Sequence, residues 1–153
     1  MKRRWILIGE DDVNDVTLTS NALAGFAHDI VVALDGVEVL EHLRGQERFA
    51  DFGHSYPAVL LLDLKMPRVD GIEVLREIKS DSAMKVIPVV MLTSSRHEPD
   101  IRHCYQLGAN GYIVKPMDFF RYKEILQNFA RFWLEVNEAL PERIEGYDPA
   151  QVA

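Results

Sequence analysis

The sequence contains a single cysteine, Cys104, which excludes an internal disulfide and a zinc site built from cysteine ligands. This scarcity favours a reducing, intracellular compartment, and we expect a cytoplasmic protein. Long apolar runs are also missing, since no stretch approaches the roughly 18–20 residues that cross a membrane. The basic residues 2–4 precede an apolar run that is too short for a signal peptide. We therefore expect no membrane partner.

An excess of positive charge is missing as well, because 24 acidic and 17 basic residues leave a formal net charge of −7. This balance argues against a nucleic-acid partner, and the acidic residues after Leu134 would be repelled by DNA phosphates. The 153 residues suit one domain with a sizeable core. Apolar periodicity stops near Pro141. We expect a domain over residues 1–140 and a loosely ordered acidic tail over residues 141–153.

Short, mostly aliphatic runs alternate along the chain with longer stretches whose apolar residues recur at helical spacing. The runs cover residues 5–8, 30–34, 58–62, 88–92 and 112–114. Continuous short runs are typical of strands that are buried on both faces of a parallel sheet. The alternation predicts an α/β protein: a flavodoxin-like (βα)5 open parallel sheet of strand order 2-1-3-4-5, with an extended C-terminal helix.

Polar residues stand where the predicted strands end. Glu10 and Asp11 follow the first run, and Asp63 follows the third. Thr93 and Lys115 follow the fourth and fifth. Because the carboxyl ends of parallel strands share one edge of the sheet, we expect these side chains to converge. Three carboxylates repel one another unless a cation compensates, and Mg²⁺ prefers such oxygen ligands.

This constellation is suited to receiving a phosphoryl group. Asp63 would be the nucleophile and would form an aspartyl phosphate, while Thr93 and Lys115 would hold the added oxygens. Simpler interpretations exist for each residue, such as a loop carboxylate, a strand-end hydroxyl or a solvated lysine. For the acidic run after the first strand, the simpler role is capping of the first helix, which Asp12 or Asn14 can fill instead.

Four motifs in order carry a resemblance to a known family. They are Ile-Leu-Ile-Gly-Glu-Asp-Asp at 6–12, Leu-Leu-Leu-Asp-Leu-Lys-Met-Pro-Arg-Val-Asp-Gly at 60–71, Val-Val-Met-Leu-Thr-Ser at 89–94, and Gly-Ala-Asn-Gly-Tyr-Ile-Val-Lys-Pro at 108–116. Over roughly residues 4–128 the chain resembles the receiver domain of two-component response regulators, and it is similar to the single-domain chemotaxis regulator.

The resemblance implies a role for each residue of the acidic edge. Asp63 matches the phosphoacceptor. Glu10 and Asp11 match the acidic pair that positions Mg²⁺ together with Asp63, and the backbone carbonyl of Lys65 matches a further metal ligand. Lys115 matches the lysine that contacts the phosphoryl group.

The resemblance also implies a switch. Thr93 matches the switch hydroxyl, and Tyr112 matches an aromatic residue that turns inward when the hydroxyl engages phosphate. The peptide bond from Lys115 to Pro116 matches one that is usually cis in the family. Gly9 departs from the pattern, because a larger apolar residue is usual there.

A narrower likeness concerns residues 10–15 and the aromatic end of the last helix at 132–134, which look like those of phytochrome-associated single-domain regulators. The resemblance implies a stand-alone response regulator that a sensor histidine kinase, here a bacteriophytochrome, phosphorylates on Asp63. Its output would be a change in the surface made by helix four, strand five and helix five. Such a protein is a phosphoacceptor with self-catalysed phosphotransfer and dephosphorylation, not an enzyme with an external product.

The apolar stripe of the last helix runs from about Phe120 to Leu140, which is longer than a closing helix needs. One side must pack on the sheet. Aromatic side chains on a projecting helix often mark a partner site, so we predict a symmetric homodimer through this helix and the fifth strand. The predicted surface contains Tyr112, Phe120, Phe129, Phe132 and Trp133.

The sequence leaves three alternatives open. A Mg²⁺-dependent phosphatase of the dehalogenase-like class also uses a strand-end aspartate, but it needs a second acid where Lys65 stands. A binding scaffold that keeps the fold without phosphorylation would not require the complete polar set. A flavodoxin-like flavin protein would need a loop after strand one that suits phosphate, and here that loop is acidic.

Overall fold

The computed structural model describes residues 4–26, 29–45 and 56–141. The strands in these ranges are β1 (Trp5–Gly9), β2 (Asp29–Ala33), β3 (Val59–Leu62), β4 (Val89–Thr93) and β5 (Gly111–Val114). The α-helices are α1 (Val13–Leu23), α2 (Gly36–Arg44), α3 (Gly71–Ser80), α4 (Glu98–Gln106) and α5 (Phe119–Arg131). A 3₁₀ turn covers Met84–Val86, and a π-helical segment, Phe132–Val136, continues α5. No helix in the described ranges is long and apolar enough to cross a membrane.

The five strands form one parallel sheet in the order β2-β1-β3-β4-β5. The prediction of a flavodoxin-like open sheet is therefore confirmed. The central strands β1, β3 and β4 are buried along their whole length, whereas the edge strands β2 and β5 are mostly half-buried.

Helices cover both faces of the sheet, because successive strand side chains point to opposite sides. In β3, Leu60 and Leu62 belong to the core beneath α2, α3 and α4, which we call the α2–α4 layer. Val59 and Leu61 belong to the core beneath α1 and α5, which we call the α1/α5 layer. Two buried faces leave no polar alternation in the strands, as the continuous apolar runs indicated.

In the part of the chain that the structure describes, aspartate is the N-cap residue of four of the five α-helices, at the carboxyl edge of the sheet. The N-caps are Asp12 for α1, Asp35 for α2, Asp70 for α3 and Asp118 for α5, and each accepts hydrogen bonds from backbone N–H groups of the first turn. An N-cap of this kind stabilises a helix by about 1 kcal/mol. Because Asp12 caps α1, the neighbouring carboxylates of Glu10 and Asp11 are left for the site.

Glycine is required where the loop after β3 returns towards the strand. The N–H of Gly71 donates to the carbonyl of Leu64 at 2.8 Å, and a Cβ at position 71 would lie 1.9 Å from the carbonyl oxygen of Asp63. At Gly9, a Cβ would lie 2.8 Å from Leu62 Cδ1 and 2.9 Å from Val39 Cγ2. Neighbouring side chains thus fill the space that a larger residue at position 9 would take.

The last helix is shorter than its apolar pattern predicted. It covers residues 119–136, which are 18 residues and about 27 Å, and ends where Asn137 becomes extended. Nη1 of Arg4 donates to the carbonyls of Leu134 and Asn137, both at 2.9 Å, and so provides partners for the helix end. The predicted acidic tail, apart from Pro141, lies outside the described residues.

Candidate functional site

The sheet ladder continues one residue beyond the strands and places the polar side chains of the carboxyl edge. Glu10, Asp63 and Lys115 each donate their backbone N–H to a carbonyl of the neighbouring strand. These bonds are Glu10 to Ala33 (3.0 Å), Asp63 to Gly9 (2.9 Å) and Lys115 to Thr93 (2.8 Å). The three residues are therefore held by backbone pairing rather than by flexible loops.

The ammonium group of Lys115 lies at the centre of the site. Its Nζ donates to Glu10 Oε2 at 2.7 Å, to Asp63 Oδ2 at 2.9 Å and to Asp15 Oδ2 at 2.9 Å. An ammonium has three N–H donors, so each has a carboxylate partner. The Lys115 side chain is only 11% exposed, which makes these charge-assisted bonds stronger than those of a surface pair.

Burial and charge shift the protonation of this cluster in a consistent way. Burial by itself would lower the pKa of Lys115, but hydrogen bonds to Glu10, Asp15 and Asp63 raise it above its ordinary value. Burial raises the pKa of Glu10 to about 7, although the hydrogen bond from Lys115 acts in the opposite direction. The lysine therefore stays charged at neutral pH, while Glu10 titrates there.

Glu10, Asp11 and Asp63 form the acidic cluster that the sequence predicted. Each offers one carboxylate oxygen, and these oxygens lie within 4.8 Å of one another. Glu10 is buried, whereas Asp11 is open to solvent. An all-oxygen donor set with one exposed member suits a hard divalent cation that keeps several of its waters. The residues therefore fit Mg²⁺ or Mn²⁺.

Asp63 presents both carboxylate oxygens to defined partners. Oδ2 accepts from Lys115, and Oδ1 accepts from the backbone N–H of Lys65 at 3.3 Å. The residue is 9% exposed. A carboxylate fixed in this way beside an ammonium is suited to nucleophilic attack on a phosphoryl group. The role of the Lys65 carbonyl as a metal ligand stays a prediction.

The predicted switch residues Thr93 and Tyr112 are linked through Ser95. Thr93 is 2% exposed, and its Oγ1 accepts from the Ser95 N–H at 3.3 Å. The Tyr112 hydroxyl donates to the Ser95 carbonyl at 3.0 Å, and its ring packs against the α2–α4 layer. Burial raises the pKa of Tyr112 above its ordinary value. Tyr112 thus has its ring turned inward in this structure.

Asp15 is the site residue that sequence reasoning missed as a separate participant. It lies in the first turn of α1, three residues after the Asp12 cap, and the N-terminus of this helix faces the sheet edge. Its carboxylate therefore reaches Lys115. The acidic run at 10–15 contained a signal, since an acid at the third helical position points back towards the preceding strand.

The five side chains of the predicted partner surface differ in their exposure to solvent. Phe120 is 80% exposed and Phe132 is 47% exposed. Trp133 is half-buried and packs edge-on against Phe132, with 5.0 Å between the ring centroids. Tyr112 is half-buried. The inclusion of Phe129 was wrong: it is 6% exposed, because α5 turns this side chain into the α1/α5 layer.

The expectation of a cis bond before Pro116 was also wrong for this structure. The described residues contain no cis peptide bond, so the bond from Lys115 to Pro116 is trans. Trans is the more stable form of an X–Pro bond by about 0.5–1 kcal/mol unless packing selects cis. Lys115 contacts all three of its carboxylate partners from the trans bond.

This fold and site define a flavodoxin-like receiver domain. The model of the response regulator receiver domain family matches residues 6–127, which is most of the chain. The protein therefore belongs to the response regulator receiver family, as the four motifs indicated.

Individual relatives support the same conclusion. The probable methanogenesis regulatory protein FilR2 of Methanothrix harundinacea is 37% identical over 88% of this chain and 86% of its own. Response regulator Rcp1 of Synechocystis is 35% identical over 85% of this chain and 88% of its own. A Mn²⁺-bound structure of Rcp1 superimposes with a TM-score of 0.81, at 33% identity over 90% of this chain and 99% of that one.

The phosphorylated cyanobacterial phytochrome response regulator RcpA has the same architecture. Its structure superimposes with a TM-score of 0.83, at 38% identity, and the match covers 91% of this chain and 99% of RcpA. The predicted likeness to phytochrome-associated single-domain regulators is therefore confirmed at the level of homology.

We predict that the acidic cluster binds divalent cations more tightly as the pH rises. Glu10 must lose its proton to act as a ligand, and its pKa is about 7 in the metal-free protein. Below that pH, affinity should fall by up to about tenfold per unit. Calorimetric titration with MgCl₂ between pH 5.5 and 8.5 measures this.

The control is Glu10→Gln, which should bind weakly and with a flatter pH profile. Equal affinity of the unaltered protein at both ends of the range would contradict the assignment.

The raised pKa of Glu10 also makes the folding stability of the protein depend on pH. Because the folded pKa of Glu10 lies above its ordinary value of 4.5, the metal-free folded state binds the proton more tightly, and Glu10 contributes decreasing stability as the pH rises from about 4.5 to 7.

Proposed function

We propose that this protein is a phosphorylation-controlled signalling protein that receives a phosphoryl group on Asp63 from the phosphohistidine of a sensor histidine kinase. The observation that carries the proposal is the placement of Asp63. Its carboxylate belongs to the acidic cluster and also accepts from the Lys115 ammonium, at the edge where parallel sheets present their ligands. Membership of the receiver family supports the same chemistry.

In the proposed reaction, an Asp63 oxygen attacks the phosphorus atom, an O–P bond forms, and the N–P bond to the kinase imidazole breaks. The electron pair of that bond leaves with the imidazole nitrogen. Lys115 holds one carboxylate oxygen and offsets the charge of the incoming group. The Thr93 hydroxyl, at the end of β4, is the second group proposed to hold a phosphoryl oxygen. Hydrolysis of the resulting acyl phosphate would return Asp63 to its starting form.

A divalent cation completes the proposal. Glu10, Asp11, Asp63 and the Lys65 carbonyl would hold Mg²⁺, which supplies positive charge next to the phosphoryl oxygens when bound. The donor chemistry of the cluster supports this, as does the Mn²⁺-bound form of the relative Rcp1. Lys115 contacts three carboxylates at this edge, those of Glu10, Asp15 and Asp63, and the cluster adds that of Asp11, so the carboxylates outnumber the ammonium.

The output is proposed to pass through Thr93 and Tyr112 to the surface formed by α4, β5 and α5. Ser95 is hydrogen-bonded to both residues. When the Thr93 hydroxyl binds the phosphoryl group, its bond with Ser95 would change, and Ser95 would transmit this change to Tyr112. Phosphorylation would then shift an existing equilibrium of this surface rather than create a new fold. The chain itself is proposed to act in the cytoplasm, where its single buried thiol, Cys104, stays reduced.

A bacteriophytochrome-type sensor kinase is the proposed phosphodonor. Support comes from RcpA, which is a phytochrome response regulator and matches nearly the whole chain. FilR2, whose name refers to methanogenesis, is similar to the same degree. Kinase choice therefore needs a direct measurement.

A homodimer through α5 and β5 is the further part of the proposal. Three aromatic side chains of this helical segment, Phe119, Phe120 and Phe132, project into solvent, and so does Val136 at 63% exposure. Large exposed apolar side chains on one helical segment favour burial against a second copy. The downstream protein is not specified by these features.

Asp63→Asn should abolish phosphorylation by acetyl phosphate in the presence of Mg²⁺. The amide has no nucleophilic carboxylate oxygen, so intact mass spectrometry should show no phosphoryl gain, whereas the unaltered chain should gain one group. Asp70→Asn is the matched control, because Asp70 lies on the same loop and asparagine is an equally good N-cap. The proposal fails if the unaltered protein stays unmodified or if Asp63→Asn gains the group at the same rate.

The kinase assignment predicts a rate preference. Phosphoryl transfer from a labelled bacteriophytochrome kinase should be at least roughly tenfold faster than transfer from a histidine kinase without a photosensory domain, since partner specificity is a difference of binding energies. Loss of label from each kinase gives the two rates, with Asp63→Asn as the blank. Equal rates would overturn the phytochrome link and leave the receiver chemistry intact.

The dimer proposal predicts that Phe120→Ser combined with Phe132→Ser weakens self-association by roughly tenfold or more, because buried aromatic residues dominate interface energies. Sedimentation or light scattering over a concentration series measures the dissociation constant. Val86→Ser is the control, since Val86 is an exposed apolar residue (44%) on the 3₁₀ turn before β4. A monomeric unaltered protein, or an unchanged constant in the double variant, would contradict the proposal.

A further inference from the structure

The loop between β4 and α4 is organised around Ser95. The backbone N–H of Ser95 donates to Thr93 Oγ1 at 3.3 Å, and its carbonyl accepts from the Tyr112 hydroxyl at 3.0 Å. Its hydroxyl donates to Asp100 Oδ2 at 2.6 Å and accepts from the N–H of His97 at 3.3 Å. One residue therefore contacts both proposed switch side chains through its backbone and a helix through its side chain.

The hydrogen bond to Asp100 is the shortest that Ser95 makes. It is short and charge-assisted, and Ser95 and Asp100 are both half-buried. Asp100 is in turn held by the first turn of α4, where its N–H donates to the His97 carbonyl at 3.0 Å. The second oxygen, Oδ1, lies 4.0 Å from His97 Nδ1. The position of Ser95 thus depends on a helical side chain rather than on the loop alone.

We propose that Asp100 is a positioning residue for the switch: its carboxylate holds Ser95 where the Ser95 carbonyl receives the Tyr112 hydroxyl, and so keeps Tyr112 turned inward. The inference rests on the proposed function only in taking Thr93 and Tyr112 as the switch. It adds to that function a residue on α4 that touches neither the phosphoacceptor nor the cation cluster.

The contacts run in series from Asp100 to Ser95 and from Ser95 to Tyr112, so loss of the first should weaken the second. Without the carboxylate, the Ser95 hydroxyl loses its charged acceptor and the loop gains alternative conformations. The Tyr112 hydroxyl then loses a fixed partner, and its half-buried ring is free to turn towards solvent. A charge-assisted hydrogen bond at a half-exposed site should change the ratio of inward to outward Tyr112 by roughly three- to tenfold.

The test reads the position of Tyr112 directly, in the full chain without phosphodonor or added metal. Fluorine NMR of protein labelled with 3-fluorotyrosine resolves the tyrosines, and the spectrum of Tyr112→Phe assigns the Tyr112 signal. Asp100→Ala and Ser95→Ala should each move this signal towards the position of an exposed fluorotyrosine. Asp100→Asn, which keeps an oxygen acceptor, should give an intermediate shift.

Two comparisons separate this role from a merely structural one. Glu98→Ala removes the other acidic side chain of the first turn of α4 and should leave the Tyr112 signal in place. The double variant Ser95→Ala with Asp100→Ala should shift the signal no further than either single variant, because both remove the same bond. Ser95→Ala leaves every charge of α4 intact, so it keeps the test valid if Asp100→Ala fails to fold.

The proposal is overturned if Tyr112 keeps its signal in Asp100→Ala and Ser95→Ala, if Glu98→Ala shifts it as much, or if the two substitutions are additive. Failure of the proposed function has a different signature, namely no phosphoryl gain on Asp63. Either result can occur without the other, because the fluorine measurement is made on unphosphorylated protein.

Discussion

A single buried ammonium group, that of Lys115, holds together carboxylates from three separate parts of the chain. Glu10 follows β1, Asp15 belongs to α1, and Asp63 follows β3, and all three contact Lys115 at the end of β5. Removing one member of such a buried charged set leaves the others uncompensated, which costs more than the loss of a surface pair. The Lys115 ammonium thus offsets the repulsion among the carboxylates at the acidic edge of the sheet.

The rest of the site is arranged around that cluster in two directions. Towards solvent, the exposed carboxylate of Asp11 completes the acidic cluster with Glu10 and Asp63. Towards α4 and β5, hydrogen bonds join Thr93 to Ser95 and Ser95 to Tyr112. In the proposed function, chemistry and signal would therefore share the end of β4, where the Thr93 hydroxyl would respond to a phosphoryl group on Asp63 and the Tyr112 ring on β5 would respond to the same loop.

Much of this arrangement could be predicted from the sequence. Apolar runs without polar alternation implied a parallel sheet, and polar residues after those runs implied a shared edge, as Asp63 and Lys115 show. The side on which a helix residue lies was harder to predict. Phe129 and Phe132 have the same chemistry three positions apart, yet one lies in the core and the other is exposed, because their environment depends on how α5 sits on the sheet. The trans isomer of the peptide bond before Pro116 could not be predicted from the sequence either, because packing selects the isomer.

The sequence by itself determined the order of the strands and the identity of the acidic edge, because hydrophobic runs and strand-end residues are local features that a parallel sheet brings together in only a few ways. Only the tertiary structure decided which side chains touch. Asp15 joins the Lys115 cluster because the first turn of α1 faces that lysine, and Asp100 reaches Ser95 because the first turn of α4 folds over the β4 loop. Such contacts depend on how the helices are positioned relative to the sheet, which no pattern along the chain encodes.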